Sequence, residues 1–371
     1  MKKALSLLLC LAMIIGAMTL ASCSGDDKYA ELKASLKGNY EGLEGTELNV
    51  YNWGEYISDG SDESLDVNDA FEAVTGIKLN YTNYDSNEQM YSKLKSNAVS
   101  YDIIIPSDYM IARLRNENML TKLDFSKITN YSNILDEYKN QYFDEKNEYS
   151  VPYSVGMVGL IYNKSVVTEK VDSWEIMWSE KYKGQILTFN NPRDAFMIAQ
   201  YALGYSVNST DKMEWYKASE KLKTQNKVLQ GRVMDEVFNK MEGGNAAIAP
   251  YYAGDFITMK ENNDDLEFVY PKEGTNIFVD SICVPSSVKN FDAAMMYINF
   301  LLEAEVALAN AEYLCYASPN KAVLENDEYS LKDSEVLYPD KKNMPKVEYY
   351  HDLDKETRDN YEKLWESVLN S

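Results

Sequence analysis

Four stretches set a flat ring close to a carboxylate. They are Trp53-Gly54-Glu55-Tyr56, Tyr251-Tyr252 followed by Asp255, Phe278 followed by Asp280, and Glu348-Tyr349-Tyr350. Each follows an apolar strand or loop. The complement of such a couple is an apolar, flexible cation, because rings cover methylene groups and face ammonium groups. A well-placed cation–π contact contributes about 0.5–2 kcal/mol. A buried carboxylate is unfavourable alone and becomes tolerable beside a cationic partner. The same residues carry little catalytic signal. The chain has no GxSxG, no HExxH and no Walker loop. His351 is the only histidine and no CxxC occurs, so neither a zinc site nor any other cofactor is expected.

The elements that position these couples alternate. LNVYNW reads as a strand, and DVNDAFEAVTG as a helix with Gly76 as its C-terminal stop. IKLNYTNY reads as a strand, SNEQMYSKLKSN as a helix capped by Ser86, YDIIIPS as a strand ending at Pro106, and DYMIARLRNENML as a helix. Such alternation implies an α/β fold with a parallel sheet, in which ligands bind beyond the carboxyl ends of strands. A second block of strands and helices starts near Tyr149. The stretch from Phe291 to Leu314 reads as one long helix or two consecutive ones whose Met and Phe are core, and TRDNYEKLWESVLN as a terminal helix. About 350 residues is long for one core, so two lobes are expected.

The amino-terminal stretch MKKALSLLLCLAMIIGAMTLASC reads as a secretory signal over 1–22, with Leu20-Ala21-Ser22-Cys23 resembling a lipobox. Cleavage before Cys23 would free that residue to carry lipid, anchoring the chain to the outer face of the cell membrane. Residues 23–45 are polar and read as a tether. The formal net charge of −22, with no basic patch, argues against nucleic acid as a partner. Cys283 and Cys315 are left either to bridge or to stay as buried thiols.

Taken in series, several motifs resemble the extracytoplasmic polyamine-binding proteins, the spermidine/putrescine-binding component of ABC importers. They are YNWGEY, FEAVTGIKLNYTNYDSNEQMYSKL, YDIIIPSDYMIARLRNENML, YSVPYSVGMVGLIYN, SWEIMW, YKGQILTFNNPRDAF, YPKEG, FVDSICVP, INFLL and LYPD, in family order from about Leu48 onward. The resemblance implies a type II periplasmic-binding-protein-like fold, two α/β lobes joined by a hinge with the ligand cleft between them. Lobe 1 is expected over 46–152 plus 281–328 and lobe 2 over 153–280 plus 329–371, with crossings near Val151–Tyr153, near Asp280 and before Leu331. By the same resemblance, Trp53 and Tyr56 are aromatic walls, and Ser107 and Tyr109 line the pocket. Tyr252 stands where the family has a Trp, and Asp255 resembles an acid of putrescine-type members. Phe278 replaces a second Trp, and Asp280 matches the ammonium-binding Asp. Asp194 stands in place of an amine-binding Glu, Asn191 in place of an Asp, and Tyr350 near a C-terminal polar contact.

Ordinary structural roles stand beside these. Ser107 also fits a helix cap, Asp194 a capping box opened by Asn191-Pro192, and Tyr252 with Asp255 the start of a helix. Glu55 is expected to be solvated or to stand behind the direct ligand contacts, and His351 to lie at the surface. The leading functional reading is a monomeric receptor that takes a polyamine to a membrane permease and performs no chemistry. Two others stay open. A sugar-binding protein would also stack on Tyr and Trp but would need more basic and amide partners, and an extracytoplasmic hydrolase would use two carboxylates.

Overall fold

The computed structural model describes residues 27–371, apart from 341 and 343. The signal expected over 1–22 and the lipid-bearing Cys23 lie outside the described residues. Residues 27–35 carry a short helix α1 (Ala30–Ser35). The body runs from residue 36 to 371. Among the described residues no helix is long and apolar enough to cross a membrane.

The tether expected through residue 45 is shorter than its composition suggested. The backbone N–H groups of Lys37 and Gly38 and the Tyr40 hydroxyl all donate to Glu303 Oε1, at 3.0, 2.7 and 2.7 Å. Glu303 and Tyr40 are both buried. A buried carboxylate needs such donors, so this segment is fixed by the acid it satisfies.

From there strand and helix alternate. β1 (Glu47–Trp53) leads to α2 (Val67–Thr75), which Asp66 caps through the Asp69 N–H and Gly76 ends at φ 68°. A left-handed residue there favours glycine. β2 (Lys78–Tyr84), α3 (Asn87–Lys95), β3 (Ile103–Ile104) and α4 (Asp108–Asn116) follow. Ser86 caps α3 through the Gln89 N–H. The long strand β4 (Ser150–Asn163) opens the second block. It continues as β5 (Ile186–Phe189), α5 (Pro192–Ala202), α6 (Lys212–Gln225), β6 (Leu229–Val233), α7 (Glu236–Glu242), β7 (Ile248–Tyr252), α8 (Ala253–Asn262) and β8 (Leu266–Val269). β9 (Thr275–Cys283) is followed by α9 (Phe291–Leu301), α10 (Ala304–Leu314), α11 (Lys321–Leu324), β10 (Val347–Glu348) and α12 (Lys355–Leu369). The 291–314 stretch is thus two helices, broken at Leu302 and Glu303.

The sheet order is β2-β1-β3-β9-β4-β7-β5-β6, with β10 beside β9 and β8 beside β4. β1 runs parallel to β2 and β3, and β5 runs parallel to β6 and β7. Between these parallel groups lie β4 and β9, which pair antiparallel from Ser150–Cys283 to Met157–Ile277, with an irregularity between Pro152 and Ser154. Every residue of β9 is buried, so it shows no alternation of apolar and polar residues. Cys283 and Cys315 are free, buried thiols.

Candidate functional site

The carboxyl ends of both parallel groups face one cleft of about 930 Å³, a volume that includes some open solvent. All ten residues expected to contact a ligand line it: Trp53, Tyr56, Ser107, Tyr109, Asp194, Tyr252, Asp255, Phe278, Asp280 and Tyr350. Asn191 lines it too, and so does Glu55, whose positive φ of 50° turns the chain after β1.

The walls are aromatic and fixed. Trp53 donates its indole N–H to the Ile105 carbonyl at 2.9 Å and packs on Tyr84 with ring centres 4.6 Å apart. Phe278 meets Tyr252 edge-to-face at 5.5 Å. Its ring lies over Gly156, where an added Cβ would come within 2.3 Å of it, so only glycine leaves that ring its place. Tyr109 and Tyr350 meet edge-to-face at 5.9 Å.

Each principal acid of the lining accepts from a tyrosine hydroxyl. Tyr56 donates to Asp280 Oδ2 at 2.8 Å, Tyr109 to Glu88 at 3.0 Å and Tyr316 to Asp255 at 3.1 Å. Tyr251 reaches Asp235 at 3.3 Å. Asp194 takes three donors: the Tyr252 hydroxyl and the Asn191 amide on Oδ2, both at 2.7 Å, and the Tyr350 hydroxyl on Oδ1 at 2.9 Å. Neither capping role expected for these residues accounts for its side chain. The Asp194 N–H does bond Asn191 Oδ1 as a cap requires, but its carboxylate faces the cleft tyrosines. Ser107 begins α4 without a side-chain cap, and its hydroxyl instead accepts from the Asn87 amide at 3.0 Å.

Seven carboxylates border the cleft (Glu55, Asp85, Glu88, Asp194, Asp235, Asp255 and Asp280), and among the described residues Arg193 is its only basic side chain. Burial pushes the Asp280 carboxyl up to about 6, against hydrogen bonds from Ser107 and Tyr56 that hold it down. Burial pushes Asp255 up to about 8, and its neighbours Asp235 and Glu55 add to the rise. Glu88 and Asp235 are raised by burial as well. Asp280 is only 4% exposed, and among the described residues its Oδ1 has no hydrogen-bond partner. The Arg193 guanidinium, 4% exposed, lies 4.5 Å over the Tyr350 ring and 5.3 Å from that of Tyr109, with its Nη2 unpartnered. Among the described residues no group of three or more His, Cys, Asp or Glu is placed to hold a metal ion.

Sequence reasoning missed Tyr84, Glu88, Asp235, Tyr251 as a hydroxyl donor, and Tyr316. Tyr84 ends a strand, so the rule that located Trp53 reaches it equally well. Glu88 sits in the first turn of α3, and the helix pattern gave it no role of its own. Tyr316 follows Cys315, a non-glycine residue at φ 59° that no local pattern announces.

A family model described as bacterial extracellular solute-binding protein matches residues 67–338. The spermidine/putrescine-binding periplasmic protein of Salmonella typhimurium is 35% identical over 308 residues, 82% of this chain and 87% of that protein. The protein of the same description from Escherichia coli K12 matches to the same extent, 35% over 308 residues, 82% of this chain and 87% of its own. Among solved structures, a putative spermidine/putrescine ABC transporter from Listeria monocytogenes aligns with a TM-score of 0.83 at 36% identity, over 87% of this chain and 99% of that one. A spermidine/putrescine ABC transporter substrate-binding protein from Streptococcus pneumoniae aligns with a TM-score of 0.71 at 36% identity, over 88% and 99%. The α/β architecture is therefore the two-lobe, type II periplasmic-binding-protein fold expected from the sequence. The chain belongs to the bacterial extracellular solute-binding proteins.

Proposed function

We propose that this protein is an extracytoplasmic receptor that captures a polyamine, spermidine or putrescine, and delivers it to the permease of an ABC importer without chemical change. The observation that carries the reading is Asp280. Its Oδ1 is buried without a partner in a cleft that has aromatic walls, seven carboxylates and one guanidinium. Such an oxygen is tolerable when a cation arrives, and the surrounding rings suit the methylene chain of that cation. The ten lining residues expected from sequence are its ligand contacts, with Asp194, Asp255 and Asp280 as the ammonium acceptors. The names of the relatives support the same ligand class and the same kind of permease.

Closure follows from the sheet. The crossings near Val151–Tyr153 and Asp280 lie on β4 and β9, the antiparallel pair between the two parallel groups, and the β4 irregularity falls between Pro152 and Ser154. The lobes 46–152 with 281–328 and 153–280 with 329–371 turn about these strands, and the ligand stabilises the shut state. A lipid on Cys23 holds the monomer to the membrane.

A thermal-shift series on the protein with putrescine, spermidine, spermine, a sugar panel and γ-aminobutyrate tests this. A polyamine at 100 times its Kd adds about 2.7 kcal/mol of apparent stability. A rise in Tm of several degrees with polyamines alone is expected. The amino acid is included because Arg193 Nη2, without a partner among the described residues, would donate to its carboxylate. A response to sugars or to the amino acid without one to polyamines overturns the reading.

A further inference from the structure

We propose that Arg193 is a specificity-determining residue whose guanidinium is a fixed positive charge at the Asp194 end of the cleft. It limits how many ammonium groups that end can seat, so that a tetraamine gains nothing over a triamine. The inference rests on the polyamine reading above. It gives a role to the residue which that reading left without one, the only basic side chain among the described residues of an acid-lined cleft.

The way Arg193 is held carries the inference. It is the second residue of α5, beside Asp194, and it is buried. A buried arginine ordinarily has an acid against it. Among the described residues the arginine ion pairs are those of Arg113 and Arg358, and Arg193 Nη2 has no hydrogen-bond partner. The guanidinium instead rests on rings from three parts of the chain. Tyr350, after β10, lies 4.5 Å away, Tyr109 of α4 lies 5.3 Å away and Tyr361 of α12 lies 6.0 Å away. Ring faces attract a cation, and these three rings are themselves buried, so the charge is fixed in place.

Two of those phenols turn their hydroxyls to acids. Tyr109 donates to Glu88 at 3.0 Å, and Tyr350 donates to Asp194 Oδ1 at 2.9 Å. Each ring therefore spaces the guanidinium about one phenol from a carboxylate. At that distance it offsets the acid's charge without occupying its oxygens. In keeping with this, burial raises the Glu88 carboxyl while Tyr109 and Arg193 work against the rise. An ammonium at Asp194 meets a carboxylate that Asn191, Tyr252 and Tyr350 hold toward the cleft. A further ammonium past Asp194 would approach the guanidinium, and the acid there, Glu88, is one that Arg193 already serves. A bound polyamine then runs from Asp194 toward Asp280, away from the fixed charge. Two unit charges about 8 Å apart at an effective dielectric of about 20 repel enough to lower affinity by about 30-fold, and partial compensation by Glu88 leaves about tenfold.

Titration calorimetry of the full protein with putrescine, spermidine and spermine tests this, together with Arg193→Gln and the charge-retaining Arg193→Lys. Spermine is expected to bind the unmodified protein no more tightly than spermidine does. In Arg193→Gln, spermine affinity should rise about tenfold relative to spermidine, and adding Glu88→Gln to that variant should remove the gain. Arg193→Lys should keep the order of the unmodified protein. No gain in Arg193→Gln, an equal gain for all three amines, a gain that survives Glu88→Gln, or the same gain in Arg193→Lys overturns the role of Arg193 and leaves the polyamine reading intact. So does tighter binding of spermine than of spermidine by the unmodified protein, a comparison that needs no variant to fold. Failure of the unmodified protein to bind any of the three overturns both.

Discussion

The two ends of the cleft keep their acids in different ways. At one end Asp194 is held by three donors, and the Arg193 guanidinium lies over the rings of Tyr109 and Tyr350. At the other end Asp255 and Asp235 have one tyrosine donor each, and their charged neighbours are further acids. The first end supplies its own compensation, and the second leaves it to whatever binds. Asp280 belongs to neither fully. It bonds Tyr56, whose ring packs on Tyr316, and it keeps one oxygen bare. Where an acid is desolvated without enough donors its proton is held more tightly, and a cationic ligand then does the work that water did before folding.

The largest effect is expected at Asp280. Asp280→Asn removes the charge from the unpartnered oxygen and should weaken polyamine binding by about 1.5–3 kcal/mol in titration calorimetry. Unchanged affinity would remove this residue from the site and the comparison with it. Gly254→Ala attacks the underbonded end by volume. The new methyl meets the Tyr316 ring and should cost about 1–3 kcal/mol of stability in chemical denaturation, while the Asp194 end keeps its hydrogen bonds. A fully stable variant would show that the ring is free to move.

The effect of pH is next in size. In the ligand-free protein Asp255 is raised from its ordinary value to about 8, so the stability linked to its proton is present below about pH 4 and is lost as pH rises through about 8. A bound cation favours the charged carboxylate, so binding should release protons, and affinity should rise between about pH 6 and 8, by at most about tenfold per pH unit for each group. Calorimetry in buffers of different ionisation enthalpy reads the proton release directly, and Asp255→Asn should abolish the part near pH 8. An affinity that falls over this window would reverse the assignment. The smallest effect is expected for Tyr316→Phe, which takes away Asp255's one hydrogen bond and should weaken spermidine binding by about 0.5–1.5 kcal/mol. An equal loss in Tyr252→Phe, where Asp194 retains two other donors, would erase the distinction between the two ends.

Much of the frame was legible because its signals are local. Ser86 and Gly76 mark helix ends through hydrogen bonding and backbone handedness that need only neighbouring residues. The ring–acid couples after β1 and β7 and within β9 pointed to a cleft because the strand ends of an α/β sheet converge. Tertiary partners were not legible. Nothing near Glu303 says that Tyr40 will dock on it, and nothing in the stretch around Asp235 says that it will face Gly54. The motif at Asn191 to Asp194 shows the limit in one place. The cap was readable, but the turn of the carboxylate toward Tyr252 and Tyr350 depends on residues 58 and 156 positions away.

The most direct measurement is a crystal structure of the protein grown with spermidine. The account predicts an extended alkyl-ammonium chain between the rings of Trp53, Tyr252 and Phe278, with one nitrogen within hydrogen-bond distance of Asp280 Oδ1. Spermidine bound elsewhere, or bound in the cleft with Asp280 Oδ1 still bare, would contradict it.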